Sequence, residues 1–182
     1  RGEELYGSTG GLFGSGDTPA LTVGALVMRL RRLNTMREKL NAAQQQELDA
    51  VLKQIDFKQD TVEAVFKWVA NELEYDLRRT LLKTKTLTWA NSEKDYVWEA
   101  IVTKKGICFH YARLFDAVIK RLGYESYFID GYVILDGRVN TQIGHVWNAV
   151  KVHNQWLMYD PTWASGFADK NTFVRKYDAR WY

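Results

Sequence analysis

The chain changes its apolar period once, near residue 123, and that change limits what it can fold into. Up to Leu122 apolar residues recur three or four positions apart. From Tyr124 onward they sit in short aromatic and β-branched segments cut by two-residue turn signals. The first spacing belongs to amphipathic helices and the second to strands. Helices first and strands after give an α+β arrangement, an antiparallel sheet following a helix cluster. With 182 residues, 46% of them hydrophobic, one compact core is expected.

Residues Gly7 to Asp17 are rich in Gly and Ser and predict a flexible lead-in. From Leu21 to Ile55, Leu26, Leu30 and Leu33, then Leu40, Leu48, Val51, Leu52 and Ile55, leave polar faces of Arg, Lys and Gln. That spacing predicts two amphipathic helices broken near Asn34 and Thr35. Asp60 is placed as the N-cap of a helix ending near Glu74, with Glu63 in its first turn. No element is predicted between Tyr75 and Tyr96, where no period is clean. Cys108 to Leu122 forms the central helix, stopped by Gly123, with the cysteine in its first turn. Three parts follow: a lead-in over 1–18, a helical extension over 19–58 and a core over 59–182.

Several function classes are disfavoured. The 25 basic and 22 acidic residues are scattered and net only +3, so no nucleic-acid footprint stands out. The best apolar run, Ala20 to Met28, is short and is followed by Arg29, Arg31 and Arg32, so membrane insertion is not expected. Cys108 is the lone cysteine, which rules out an intrachain disulfide and a cysteine-based zinc cluster. Neither metal nor cofactor is called for. The chain begins at Arg1 and is read as a piece of a longer protein, with an extracellular or cell-surface setting expected.

A thiol is a weak nucleophile until its proton is removed, and a helix N-terminus beside an imidazole favours that. His110 is two residues from Cys108, about 200° around the helix, and therefore serves packing or surface. A zinc site from Cys108, His110 and His145 fails for the same reason. His145 and Asp160 are better placed. If His153 and Asn154 make a two-residue turn, Val152 pairs with Gln155 and partner numbers sum to 307. Trp147 then faces Asp160, and His145 lies two residues beyond on the same sheet face, about 7 to 8 Å away at the backbone. A carboxylate there can fix the imidazole tautomer that a base requires. The plainer alternative makes Cys108 a small core residue, His145 a satisfied core histidine and Asp160 a turn residue before Pro161. Trp147 and Trp163 are candidates for a substrate-binding wall, with strand packing as their alternative. The backbone N–H of Cys108 is the first candidate to stabilise an oxyanion, with Tyr75 or Trp89 as a second.

The runs Lys104 to Ala112 (KKGICFHYA), Gly144 to Val150 (GHVWNAV) and Trp156 to Trp163 (WLMYDPTW) resemble the transglutaminase-like superfamily, most nearly its bacterial members. The resemblance extends from about Thr61 to Gly166 and keeps cysteine, histidine and aspartate in the family's order. It implies a papain-like core and a thioester intermediate at Cys108, formed from a glutamine side chain or a peptide carbonyl of a protein or peptide substrate. The chain departs from many relatives at Phe109-His110, where small or polar residues are usual. Two other functions compete with such an enzyme. One is a catalytically silent binding module for a peptide or cell-surface partner. The other is an interaction domain working through the basic surface of Arg29, Arg31, Arg32, Arg37 and Lys39.

Overall fold

A computed structural model describes residues 42–58, 60–81 and 93–182. The lead-in and the first predicted helix lie outside these residues, as does Trp89. The second predicted helix is seen as α1, Ala42–Leu52. It is followed by α2 (Thr61–Glu72), β1 (Glu74–Tyr75), α3 (Leu77–Leu81) and α4 (Glu93–Thr103). Then come β2 (Lys105–Gly106), α5 (Cys108–Arg121), β3 (Ser126–Leu135), β4 (Arg138–Val152) and β5 (Gln155–Tyr159). The last elements are α6 (Pro161–Ser165), β6 (Gly166–Asp169), β7 (Thr172–Arg175) and a 3₁₀ turn at Ala179–Trp181.

The core forms around α5. Tyr111, Leu114, Phe115, Val118 and Ile119 pack against Val62, Val65, Phe66 and Val69 of α2 and against Val150 and Tyr159 of the sheet. Phe66 meets both Phe115 and Tyr159 edge-on, with ring centroids 6.0 and 5.7 Å apart. Leu48 and Val51 of α1 belong to the same cluster, so residues assigned to the helical extension share this core. The Asp60 carboxylate accepts the N–H groups of Val62 and Glu63, as its N-cap role predicts. At the other end of α2, Arg175 donates to the carbonyls of Ala70 and Leu73, which the helix itself cannot satisfy.

β3, β4 and β5 form one antiparallel sheet in chain order. Val152 pairs with Gln155 and Asn148 with Tyr159, so the predicted sum of 307 holds along β5. Both hairpins turn on paired left-handed residues, Asp136 and Gly137 (φ 51° and 73°) and His153 and Asn154 (φ 47° and 66°). Two successive positive φ values match the right-handed strand twist, which is why such turns close hairpins. β4 begins at Arg138, well before the predicted His145. Residues 138–144 are largely exposed and polar, and the pairing of 138–140 and Gly144 with β3, rather than burial, holds this end of the strand. Tyr132 pairs with Gly144 but Val133 with Asn140, a bulge that interrupts the ladder just beyond His145.

At the edge of the region with no predicted element is a small parallel pairing, Glu74 with Lys105 and Tyr75 with Gly106. It brings the chain just after α2 against the two residues that precede Ile107 and Cys108. Among the described residues no helix is long and apolar enough to cross a membrane.

Candidate active site

Cys108 is the first residue of α5, and Ile107 in extended conformation (φ −96°, ψ −179°) is its N-cap. The sulfur-bearing side chain sits with Ala112, Phe128 and Val146 in a small apolar cluster lined by Phe109, and Cys108 is only 9% exposed. The helix packs its first turn against β3 and β4, and that packing brings the cysteine to His145.

His145 Nε2 lies 2.5 Å from Asp160 Oδ2. Cys108 is close enough to the ring to act on it, raising its pKa along with Asp160. Since Nε2 faces the carboxylate, Nδ1 is the nitrogen left for the sulfur. Cys108, His145 and Asp160 are therefore brought together in one chain of contacts. Burial lowers the pKa of the imidazole, but the charge and hydrogen bond of Asp160, helped by Cys108, overcome it and push His145 up to about 10. The carboxylate has two tasks. Its Oδ1 accepts the N–H groups of Thr162 and Trp163 as N-cap of α6, while Oδ2 is turned to His145. Pro161 at the first helical position and this cap together set the turn that aims Oδ2. The main-chain N–H of Asp160 in turn donates to the carbonyl of Trp181, 2.9 Å away.

Two indoles stack on the histidine. Trp163 is nearly parallel to it at 4.7 Å between centroids and 13°, and Trp147 lies at 6.0 Å and 22°. Trp163 is buried and backed edge-on by Trp181 at 4.5 Å. Trp147 is half-buried and its ring covers Gly131, the partner of His145 across β3 and β4. A side chain at Gly131 would meet the Trp147 ring at 2.6 Å, so the glycine makes room for that indole. Tyr75 lies by Tyr111, with ring centroids 6.4 Å apart, and its hydroxyl accepts from Thr80. Among the described residues no group of His, Cys, Asp and Glu is arranged to hold a metal ion.

Spacing alone gave His110 a packing role, and the structure adds a polar task that the spacing did not show. The ring is fully buried, its Nδ1 accepts the N–H of Ile107 at 3.1 Å, and its Nε2 is 3.1 Å from Glu99 Oε2. Arg79 bridges to Glu99 from α3. The available signal was the spacing from N-cap to third helical residue, where a side chain commonly reaches back to the cap N–H. Gly106 is part of the same arrangement, because a Cβ there would come within 2.3 Å of His110 Cβ and Cγ. Gly106→Ala should therefore lower unfolding free energy by roughly 1 to 3 kcal/mol or more through overpacking, read as a lower urea midpoint.

The pH dependence of stability follows from His145. Its folded pKa of about 10 stands above the unfolded value of about 6.5, so folding binds its proton more tightly. The contribution is complete below about pH 6.5 and is lost as pH rises through 10. Urea midpoints measured from pH 6 to 10.5 should fall over that window, and His145→Gln should flatten the fall.

A thiol at the start of the central helix, facing a sheet that carries the histidine and leads directly into the aspartate, defines the papain-like class of folds. The transglutaminase-like superfamily model matches residues 45–161, which hold all three side chains, and the chain belongs to that superfamily. The match begins ahead of Thr61, in α1, consistent with the packing of Leu48 and Val51. Over 122 residues the chain is 29% identical to the kyphoscoliosis peptidase of Mus musculus, which covers 62% of this chain and 17% of that protein. It is 29% identical over 133 residues to a UPF0252 protein of Archaeoglobus fulgidus, covering 66% of this chain and 41% of that protein. These two relatives are mammalian and archaeal, and they do not show the bacterial affinity read from the motifs. Among solved structures, one described as a TGase superposes with TM-score 0.51 at 16% identity, covering 86% of this chain and 41% of the other. Arylamine N-acetyltransferase C of Bacillus anthracis gives TM-score 0.50 at 19% identity, covering 70% and 52%. At such identities these two likenesses speak for the fold alone.

Proposed function

We propose that the domain transfers acyl groups from protein or peptide amides through a thioester on Cys108. The observation that carries this is the placement of the His145 ring, with Nε2 on Asp160 Oδ2 and Cys108 near enough to act on the ring. Superfamily membership supports it, since such domains usually perform cysteine-dependent acyl transfer or proteolysis.

In this reading His145, held protonated by Asp160, already carries the Cys108 proton on Nδ1, and the sulfur attacks the amide carbon as the thiolate of that ion pair. The tetrahedral oxyanion is met by the backbone N–H of Cys108, which at the first helical position has no acceptor within the helix. Collapse breaks the C–N bond, and His145 returns its proton to the departing amine. The thioester then passes to an amine, giving a crosslink, or to water, giving deamidation or peptide cleavage. Asp160 orients His145 throughout. Half-buried Trp147 is the better candidate for a wall touched by substrate, while buried Trp163 serves chiefly to hold the imidazole.

The test pairs a glutamine-containing peptide with a fluorescent primary amine and follows amine incorporation, released ammonia and peptide cleavage together. Any of the three, lost in Cys108→Ala, supports the reading and names the acceptor. Cys108 labelling by a vinyl sulfone with none of the three would favour the silent binding module.

A further inference from the structure

One buried polar cluster has no part in the mechanism just described. Arg79 of α3, Glu99 of α4 and His110 of α5 meet beneath the first turn of the helix that carries Cys108. Side-chain exposure is 10% for Arg79, 4% for Glu99 and zero for His110. Burying three ionisable groups is costly unless they satisfy one another. The partners assign their states. His110 Nδ1 accepts the Ile107 N–H, so a neutral ring carries its proton on Nε2, which lies 3.1 Å from Glu99 Oε2 and 2.9 Å from Arg79 Nη1. Burial keeps the His110 pKa below its ordinary value despite Glu99, so the ring is neutral at neutral pH. Burial also works against the Glu99 carboxylate, but Arg79 and His110 hold its pKa below the usual range. A neutral histidine thus stands on a carboxylate that is itself fixed by a guanidinium.

What the ring holds is the backbone next to the nucleophile. The Ile107 N–H ends on His110, and the Gly106 carbonyl of the same peptide unit accepts the Asp76 N–H at 2.9 Å. Both polar groups flanking that bend are therefore taken, and the next N–H along the chain is that of Cys108. We propose that His110 is a positioning residue which, seated on the Arg79–Glu99 pair, fixes the Gly106–Ile107 peptide unit and through it the direction in which the next amide, the Cys108 N–H, meets the oxyanion. The proposal rests on the thioester reading for its kinetic consequence. The geometry it invokes is independent of that reading.

Three variants separate the roles of the two ring nitrogens. His110→Asn places an amide oxygen near Nδ1 and keeps the acceptor for Ile107; His110→Gln reaches toward Glu99 but not toward Ile107; His110→Ala keeps neither. Alkylation of Cys108 by iodoacetamide is a displacement that needs no oxyanion donor, whereas amide acyl transfer does. His110→Ala and His110→Gln should lose about 10²-fold in kcat, the scale of one misplaced oxyanion donor, while KM and the alkylation rate stay within about twofold. His110→Asn should recover most of kcat. Amide hydrogen exchange supplies a readout without activity: Ile107 should be protected in wild type and His110→Asn and exchange about tenfold faster in His110→Ala. Urea midpoints confirm that each variant is folded. Equal Ile107 exchange in all four proteins overturns the proposal, and so does a parallel fall of alkylation and acyl transfer. If wild type alkylates at Cys108 but transfers no acyl group, the thioester reading fails while Ile107 exchange still decides the role of His110.

Discussion

Cys108→Ala should abolish acyl transfer and leave a folded domain. Removing a nucleophile from a triad costs on the order of 10⁶ in kcat in the serine enzymes where it has been dissected, and no other thiol exists in the chain to replace it. The structural cost is small. Cys108 lies in a minor cluster with Ala112, Phe128 and Val146 and is absent from the main core around Phe66 and Phe115. Deleting one sulfur there should lower stability by about 1 kcal/mol, an unfolding-midpoint change that leaves the native spectrum intact. Collapse of the fold in that variant would make the cysteine a packing residue and weaken the case for chemistry at this position.

The second large effect is expected of Asp160→Asn. The amide oxygen can keep the cap on Thr162 and Trp163, so α6 stays in place. The amide NH₂ is then left facing His145 Nε2, which must accept instead of donate. That moves the neutral ring's proton to Nδ1, where it meets the sulfur and blocks proton transfer. The analogous change in a serine triad costs about 10⁴ in kcat; a preformed thiolate–imidazolium pair depends less on the carboxylate, and a loss of roughly 10 to 10³ is expected here. The loss should come with a shifted pH profile. Asp160 is the largest force raising His145 to about 10, so the alkaline limb of kcat/KM should move toward neutral pH in the variant. Stopped-time assays from pH 6 to 10.5 check both effects, and an Asn variant with full activity and an unmoved limb would return Asp160 to its capping role.

How far the sequence could be read depended on how local the deciding physics is. The pairing of His145 with Asp160 was legible because one turn, His153-Asn154, sets the register of β4 on β5, and the side-chain period of two carries that register outward. The place of Cys108 was legible from Gly106 before it and the apolar face after it. Residues 138–144 were not legible as strand, because their order comes from hydrogen bonds to β3 and leaves no buried face to imprint a period. The two-residue pairing of Tyr75 with Gly106 was out of reach for a related reason, since parallel contacts between segments this short and this distant have no local signature. His110 is the instructive miss. Rotation around the helix excluded it as the base, yet its buried partners Arg79 and Glu99 arrive from α3 and α4 across a stretch that showed no pattern. Trp163 was read as a possible wall; its stack on His145 and its backing by Trp181 depend on the chain returning to the site near its last described residues.

The account turns on whether Cys108 carries the acyl group. Intact-protein mass spectrometry of an acid-quenched reaction with an activated acyl ester, followed by peptide mapping, reads this directly. The expected result is a mass increase of one acyl group located on Cys108, absent in Cys108→Ala and sharply reduced in His145→Ala. An acyl group found elsewhere, or none on Cys108 while turnover proceeds, would contradict the thioester mechanism.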